Sequence, residues 1–157
     1  FFEEGNSLKL INSSVSGDTT GGGLGRLAKN LKKFKPDFVL IELGGNDALR
    51  GYSIKLIKSN LEKMIALIKQ NKSKVLLMQI RIPPNYGQKY MLAFEKIYKD
   101  LALSEEVYLL PFMLEEIGIN SELMQPDGIH PNKKAQSLIA KDVKKNIDKF
   151  LLINQSN

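Results

Sequence analysis

Phe38-Val39-Leu40-Ile41-Glu42-Leu43-Gly44-Gly45-Asn46-Asp47 is the stretch on which the reading of the fold turns. Its first four residues are apolar without a break, which suits a strand covered on both faces, as in a parallel sheet. The Gly-Gly-Asn-Asp that closes it is a turn signal. Similar runs recur at Leu8-Lys9-Leu10-Ile11, Val75-Leu76-Leu77-Met78 and Val107-Tyr108-Leu109-Leu110. Between them the apolar residues follow helical spacing: Ile54, Ile57, Leu61, Met64, Ile65 and Ile68, then Met91, Phe94, Ile97, Tyr98 and Leu101. A last stripe, Ala135, Leu138, Ile139, Val143, Ile147 and Phe150, runs almost to the end of the chain. Alternating strands and helices predict right-handed βαβ units and a three-layer α/β domain. No repeat, low-complexity stretch or linker interrupts the pattern, so residues 1–157 read as a single domain.

Composition narrows the chemistry. The 157 residues contain no Cys, which excludes disulfides, thiolate metal sites and a Cys nucleophile. One His excludes a multi-histidine metal centre. No apolar run approaches the roughly 18–20 residues that span a bilayer, and no signal peptide is visible. The 23 basic against 17 acidic residues give a net charge of +6, which raises the question of nucleic acid. The lysines scatter over the polar faces of the helical segments, however, and no aromatic residues interleave with them as stacking platforms. Solvated helix faces account for them, and weak attraction to anionic surfaces or acyl carriers stays open.

Ligands of parallel α/β sheets sit at the carboxyl ends of the strands, so the loops leaving the strands carry the candidates. Asp127 and His130 stand three apart in Gln125-Pro126-Asp127-Gly128-Ile129-His130-Pro131. A carboxylate there can accept the imidazole Nδ1–H and leave Nε2 as a base; the same string also suits a capping Asp and a loop histidine. Asn46, flanked by Gly44 and Gly45, can offer its side-chain N–H to an oxyanion, or simply terminate a strand. Gly17 is similarly a turn glycine or a bare backbone N–H aimed at an oxyanion. Gly23, Gly25 and Ala28 match a relaxed dinucleotide fingerprint, but the preceding strand ends near Ile11, too early for that motif. Glycines opening a helix are the stronger reading.

Taken in order, Ser16-Gly17-Asp18-Thr19-Thr20, Glu42-Leu43-Gly44-Gly45-Asn46-Asp47, Arg81-Ile82-Pro83-Pro84-Asn85-Tyr86-Gly87 and Asp127-Gly128-Ile129-His130-Pro131 resemble the SGNH (GDSL-type) hydrolases. More narrowly they resemble the bacterial thioesterase I subgroup of arylesterases, acyl-CoA thioesterases and lysophospholipases. The resemblance implies a three-layer α/β/α sandwich with a parallel, flavodoxin-like sheet. It implies ester or thioester hydrolysis through a Ser-His-Asp triad, with His130 as base and acid, Asp127 orienting it, and Gly17 and Asn46 as oxyanion donors. Gly45, Asp47, Ile82, Pro83, Asn85 and Tyr86 are expected to line the substrate groove. No cofactor or metal is implied. The expected partner is a small-molecule ester or acyl thioester, with no nucleic acid, no stable membrane insertion and a monomeric complete protein.

The family's first block, a Gly-Asp-Ser string after an N-terminal strand, does not occur in the sequence, which opens on Phe1-Phe2-Glu3-Glu4. The resemblance therefore implies an N-terminally incomplete sequence whose first strand and nucleophile precede Phe1, with Phe1 to Ser7 as the end of a helix. In the family's strand order, 2-1-3-4-5, that strand lies inside the sheet, so residues 1–157 alone are expected to be unstable or aggregated and inactive. The other readings are a shortened, inactive relative that binds lipid or carbohydrate, and an unrelated nucleotide-binding protein. A periplasmic or secreted location is what the resemblance suggests.

Overall fold

The computed structural model describes residues 8–155. They form two compact units, one of Ser13–Leu110 and one of residues 8–12 and 111–155. The helix end expected over Phe1–Ser7 lies outside the described residues.

The first unit is α/β. Helix α1 (Thr20–Phe34) leads to strand β1 (Phe38–Ile41), a short helix α2 (Gly45–Leu49), helix α3 (Ile54–Gln70), strand β2 (Lys74–Met78), helix α4 (Gln88–Ser104) and strand β3 (Tyr108–Leu110). The strands make a three-stranded sheet in the order β1-β2-β3. Both pairings are parallel, from Phe38 opposite Lys74 to Ile41 opposite Leu77, and from Leu76 opposite Tyr108 to Met78 opposite Leu110. Val75, Leu76, Leu77 and Met78 are all at most 5% exposed, which is why their stretch is uninterrupted by polar residues.

Local chemistry sets the helix ends. Thr19 caps α1 by accepting the Gly22 N–H, and Lys35 ends it in the left-handed region at φ 44°. Ser53 caps α3 by accepting the Leu56 N–H. The stripe Ile57, Leu61, Ile65 and Ile68 on α3 is fully buried, each side chain contributing about 1.5–3 kcal/mol of burial free energy. On α4, Phe94 and Tyr98 are also fully buried, and their rings meet edge to face at 5.4 Å and 78°.

Two expectations need correction. Leu8–Ile11 is not a strand, and Leu10 is 71% exposed. A strand needs a neighbour to take its N–H and C=O groups. Strand β1 has β2 on one side, and among the described residues no strand lies on its other side. The apolar stripe of the last helix, α5 (Gln136–Gln155), is also narrower than its spacing suggests: Phe150 is buried, but Leu138 is 46% exposed. Ala135 falls in the preceding 3₁₀ turn (Lys133–Ala135), where it is fully buried.

Candidate functional site

The loop carrying Asp127 and His130 is a small closed hairpin. Met124 and Pro131 form an antiparallel bridge, and the Gln125 N–H donates to the His130 carbonyl at 2.8 Å. The Gly128 N–H donates back to the Gln125 carbonyl at 3.0 Å, and Gly128 takes φ 67°, a conformation glycine adopts without a Cβ penalty. Asn132 pins the hairpin's base, its Nδ2 donating to the Glu122 carbonyl at 2.7 Å and the Met124 carbonyl at 3.2 Å.

Inside this hairpin the Asp127 carboxylate does two jobs. Its Oδ1 accepts the backbone N–H groups of Ile129 at 2.9 Å and His130 at 3.0 Å. Its Oδ2 lies 2.7 Å from His130 Nδ1. Three bonds to the ionised form, led by the His130 N–H, lower the Asp127 pKa to about 2. The imidazole is exposed, and among the described residues nothing is bonded to its Nε2.

Gly17 and Asn46 belong to the other unit, where α2 grips the loop before α1 at three points. Asn46 Nδ2 donates to the Asp18 carbonyl at 3.0 Å. Asp47 accepts the Thr20 N–H at 2.8 Å and the Thr20 hydroxyl at 2.5 Å. Arg50 Nη2 donates to the Gly17 carbonyl at 3.0 Å. Gly17 itself, at φ 72°, sits in a turn closed by the Asp18 N–H on the Val15 carbonyl at 3.2 Å. Among the described residues its own N–H has no partner. Arg26 adds an ion pair to Asp18 and a bond to the Ser13 carbonyl.

The loop from Leu43 to Asn46 is shaped by Gly44. It has φ 119°, and a Cβ there would run into the Tyr98 hydroxyl, which donates to the Leu43 carbonyl at 2.9 Å. Burial, with the charges of Asp47 and Glu42, pushes the Tyr98 pKa well above its ordinary value, so the hydroxyl stays a donor.

The remaining expected groove residues divide. Asp47 is fully buried and its carboxylate is spent on Thr20, so it supports the fold of the loop rather than facing a ligand. Ile82 is 6% exposed and belongs to the core cluster. Gly45, Pro83 and Tyr86 are half-buried and Asn85 is exposed, the last two within the 3₁₀ turn Pro84–Tyr86. The glycines at 21, 22, 23 and 25 lie within the first turns of α1. The first free N–H of that helix goes to the Asp47 carboxylate, where a dinucleotide phosphate would have to bind. Thr20, Asn60 (whose Nδ2 donates to the Thr20 hydroxyl at 3.0 Å) and Arg50 escaped the sequence reading. Arg50, four residues after Asn46 and so one helical turn on, is the one that spacing could have flagged.

The parallel sheet, the helices over it and the loops at its carboxyl ends define an SGNH-type hydrolase fold. The chain belongs to the GDSL-like Lipase/Acylhydrolase family, whose model matches residues 2–138. It is 50% identical over 149 residues to an arylesterase of Vibrio mimicus, covering 95% of this chain and 74% of that protein. It is 47% identical over 131 residues to thioesterase 1/protease 1/lysophospholipase L1 of Escherichia coli strain K12, covering 83% of this chain and 63% of that protein. Among solved structures, the psychrotrophic esterase EstA from Pseudoalteromonas sp. superposes with a TM-score of 0.90 at 40% identity, over 93% of this chain and 80% of that one. At family level these are ester and thioester hydrolases.

Proposed function

We propose that this chain supplies the base, the orienting carboxylate and two oxyanion donors of a serine hydrolase acting on carboxylic esters or acyl thioesters, of arylesterase, acyl-CoA thioesterase or lysophospholipase type. The observation that carries the reading is the 2.7 Å contact between Asp127 Oδ2 and Nδ1 of an exposed His130. That contact fixes the tautomer with the lone pair on Nε2, the form a general base requires. The names of the relatives support the reaction class. The family match runs across both compact units, which supports treating residues 1–157 as one hydrolase domain. The smallest functional assembly in this reading is a monomer, with a small-molecule ester as its partner.

The steps balance without a cofactor. His130 Nε2 takes the proton of a serine hydroxyl as its oxygen bonds to the acyl carbon, and the carbonyl π-electrons move to oxygen. The Gly17 N–H and the second Asn46 Nδ2–H hold that oxyanion, a donor of this kind being worth about 10²–10³ in rate. The imidazolium, stabilised by Asp127, then protonates the departing alkoxide or thiolate. Water repeats the cycle on the acyl-serine, releasing the acid. The serine is assigned to a Gly-Asp-Ser block outside residues 1–157, since none of the serines within them stands in such a block.

Phosphonylation of the full-length protein tests this; the EstA structure is itself described as inhibited by monoethylphosphonate. A fluorophosphonate should label one serine, and peptide mass spectrometry should place it in a Gly-Asp-Ser block preceding Phe1. Residues 1–157 alone should not react. Failure of the full-length protein to label, or a label on Ser16 or another serine of this sequence, overturns the assignment.

A further inference from the structure

Resting on that reading, we infer that Arg50 is a positioning residue, which fixes the direction of the Gly17 N–H by holding the peptide that follows it. Glycine at 17 has the widest backbone freedom of any residue, and an oxyanion donor is useful only if its direction is set beforehand. The Gly17–Asp18 peptide plane is pinned on both sides: its N–H donates to the Val15 carbonyl at 3.2 Å, and its carbonyl accepts Arg50 Nη2 at 3.0 Å. The Gly17 N–H lies in the preceding Ser16–Gly17 plane, at the centre of the turn that the Val15–Asp18 bond closes; holding the following plane as well limits both φ and ψ of Gly17, and with them the direction of its N–H. Among the described residues Arg50 is the one side chain bonded to Gly17.

The other ties of the loop fall elsewhere. Arg26 takes Asp18 and the Ser13 carbonyl, Asn46 takes the Asp18 carbonyl, and Asp47 takes Thr20. Asn46 stands in α2 and Arg50, the residue that caps its C-terminus, follows one turn on. One rigid turn of helix thus presents the second oxyanion donor and orients the first. A charged guanidinium makes a stronger bond to a carbonyl than a neutral donor does, and its planar, delocalised form differs from the point charge of Lys. Because Arg50 is exposed, losing this bond should affect the geometry of the loop far more than the stability of the fold.

The test compares Arg50→Ala and Arg50→Lys with wild type in the full-length protein, using a neutral p-nitrophenyl ester, an anionic acyl-CoA and a fluorophosphonate. Misplacing a donor costs less than deleting it, so Arg50→Ala should lower kcat and the phosphonylation rate together by about 10- to 100-fold on both substrates. KM should stay within about twofold, as for an interaction made in the transition state. The melting temperature should not move, added guanidinium ion should restore part of the rate, and Arg50→Lys should fall between the two. A loss confined to KM for the anionic thioester would make Arg50 a substrate-charge contact and overturn the inference. So would an unchanged kcat, or a rate loss that follows a collapsed melting temperature and is not restored by guanidinium. Wild-type labelling separates the two claims: an unlabelled wild type defeats the hydrolase reading and this inference with it, whereas a labelled wild type with a fully active Arg50→Ala defeats this inference alone.

Discussion

Asp127 holds His130 twice, its Oδ1 accepting the backbone N–H at 3.0 Å while its Oδ2 meets the ring Nδ1 at 2.7 Å. One carboxylate therefore shapes the turn and sets the orientation and tautomer of the imidazole. Asp127→Asn keeps a side-chain oxygen for the backbone N–H groups but offers the ring an uncharged amide. Phosphonylation and ester hydrolysis should fall by about 10³–10⁴-fold, as expected when a triad carboxylate is replaced by its amide. Circular dichroism and the melting temperature should stay near wild type. Stopped-flow labelling of the full-length variant provides the measurement.

The same bonds make a pH prediction. Asp127 has a folded-state pKa of about 2 against an ordinary 3.8. A depressed carboxylate contributes stability that is fully present above its unfolded value and is lost as pH falls toward its folded value. The Asp127 contribution should thus persist at neutral pH and down to about pH 4, then fade toward pH 2. Carbon NMR of the Asp127 carboxyl, assigned by its absence in Asp127→Asn, should show the carboxyl's protonation step centred near pH 2. A midpoint near 3.8 would mean that the hairpin's bonds are not formed in solution.

Gly44 is constrained by backbone and neighbour alike. Gly44→Ala forces a Cβ toward the Tyr98 hydroxyl at a backbone φ of 119°. The combined strain and overpacking should cost about 2–4 kcal/mol in urea unfolding of the full-length protein. Adding Tyr98→Phe should recover the steric part and leave the backbone part.

Asp47 separates a structural role from a binding one. Asp47→Ala removes the acceptor for the Thr20 N–H and hydroxyl, and should cost about 3 kcal/mol by leaving buried donors unpaired. KM measured below the lowered melting temperature should not change. A stable variant with a raised KM would return Asp47 to the substrate groove.

How much of this the sequence carried depends on distance along the chain. Three apolar runs became strands because each lies where the sheet provides a partner; Leu8–Ile11, a similar run apart from Lys9, is not a strand, since composition does not provide a neighbour. The Asp127–His130 contact was legible because three residues and a glycine turn enclose it. The grip of α2 on Gly17, Asp18 and Thr20 joins segments that are adjacent only in the fold, so the linear sequence does not show Thr20 and Arg50 taking part, and Asp47, expected to line the substrate groove, instead turns inward to Thr20. Likewise Ile82 lies in a loop whose motif suggested a groove wall, yet its side chain turns into the core, a choice that alternation of residue types does not encode.

If His130 is the base of a serine hydrolase, labelling by a serine-directed phosphonate should depend on it. The most direct measurement is the second-order rate of fluorophosphonate labelling of the full-length protein, wild type against His130→Ala, with circular dichroism confirming that both are folded. The wild type should label, and the rate should fall by about 10³-fold or more in the variant, as when a triad member is removed. Labelling that survives His130→Ala at the wild-type rate would contradict His130 as the base.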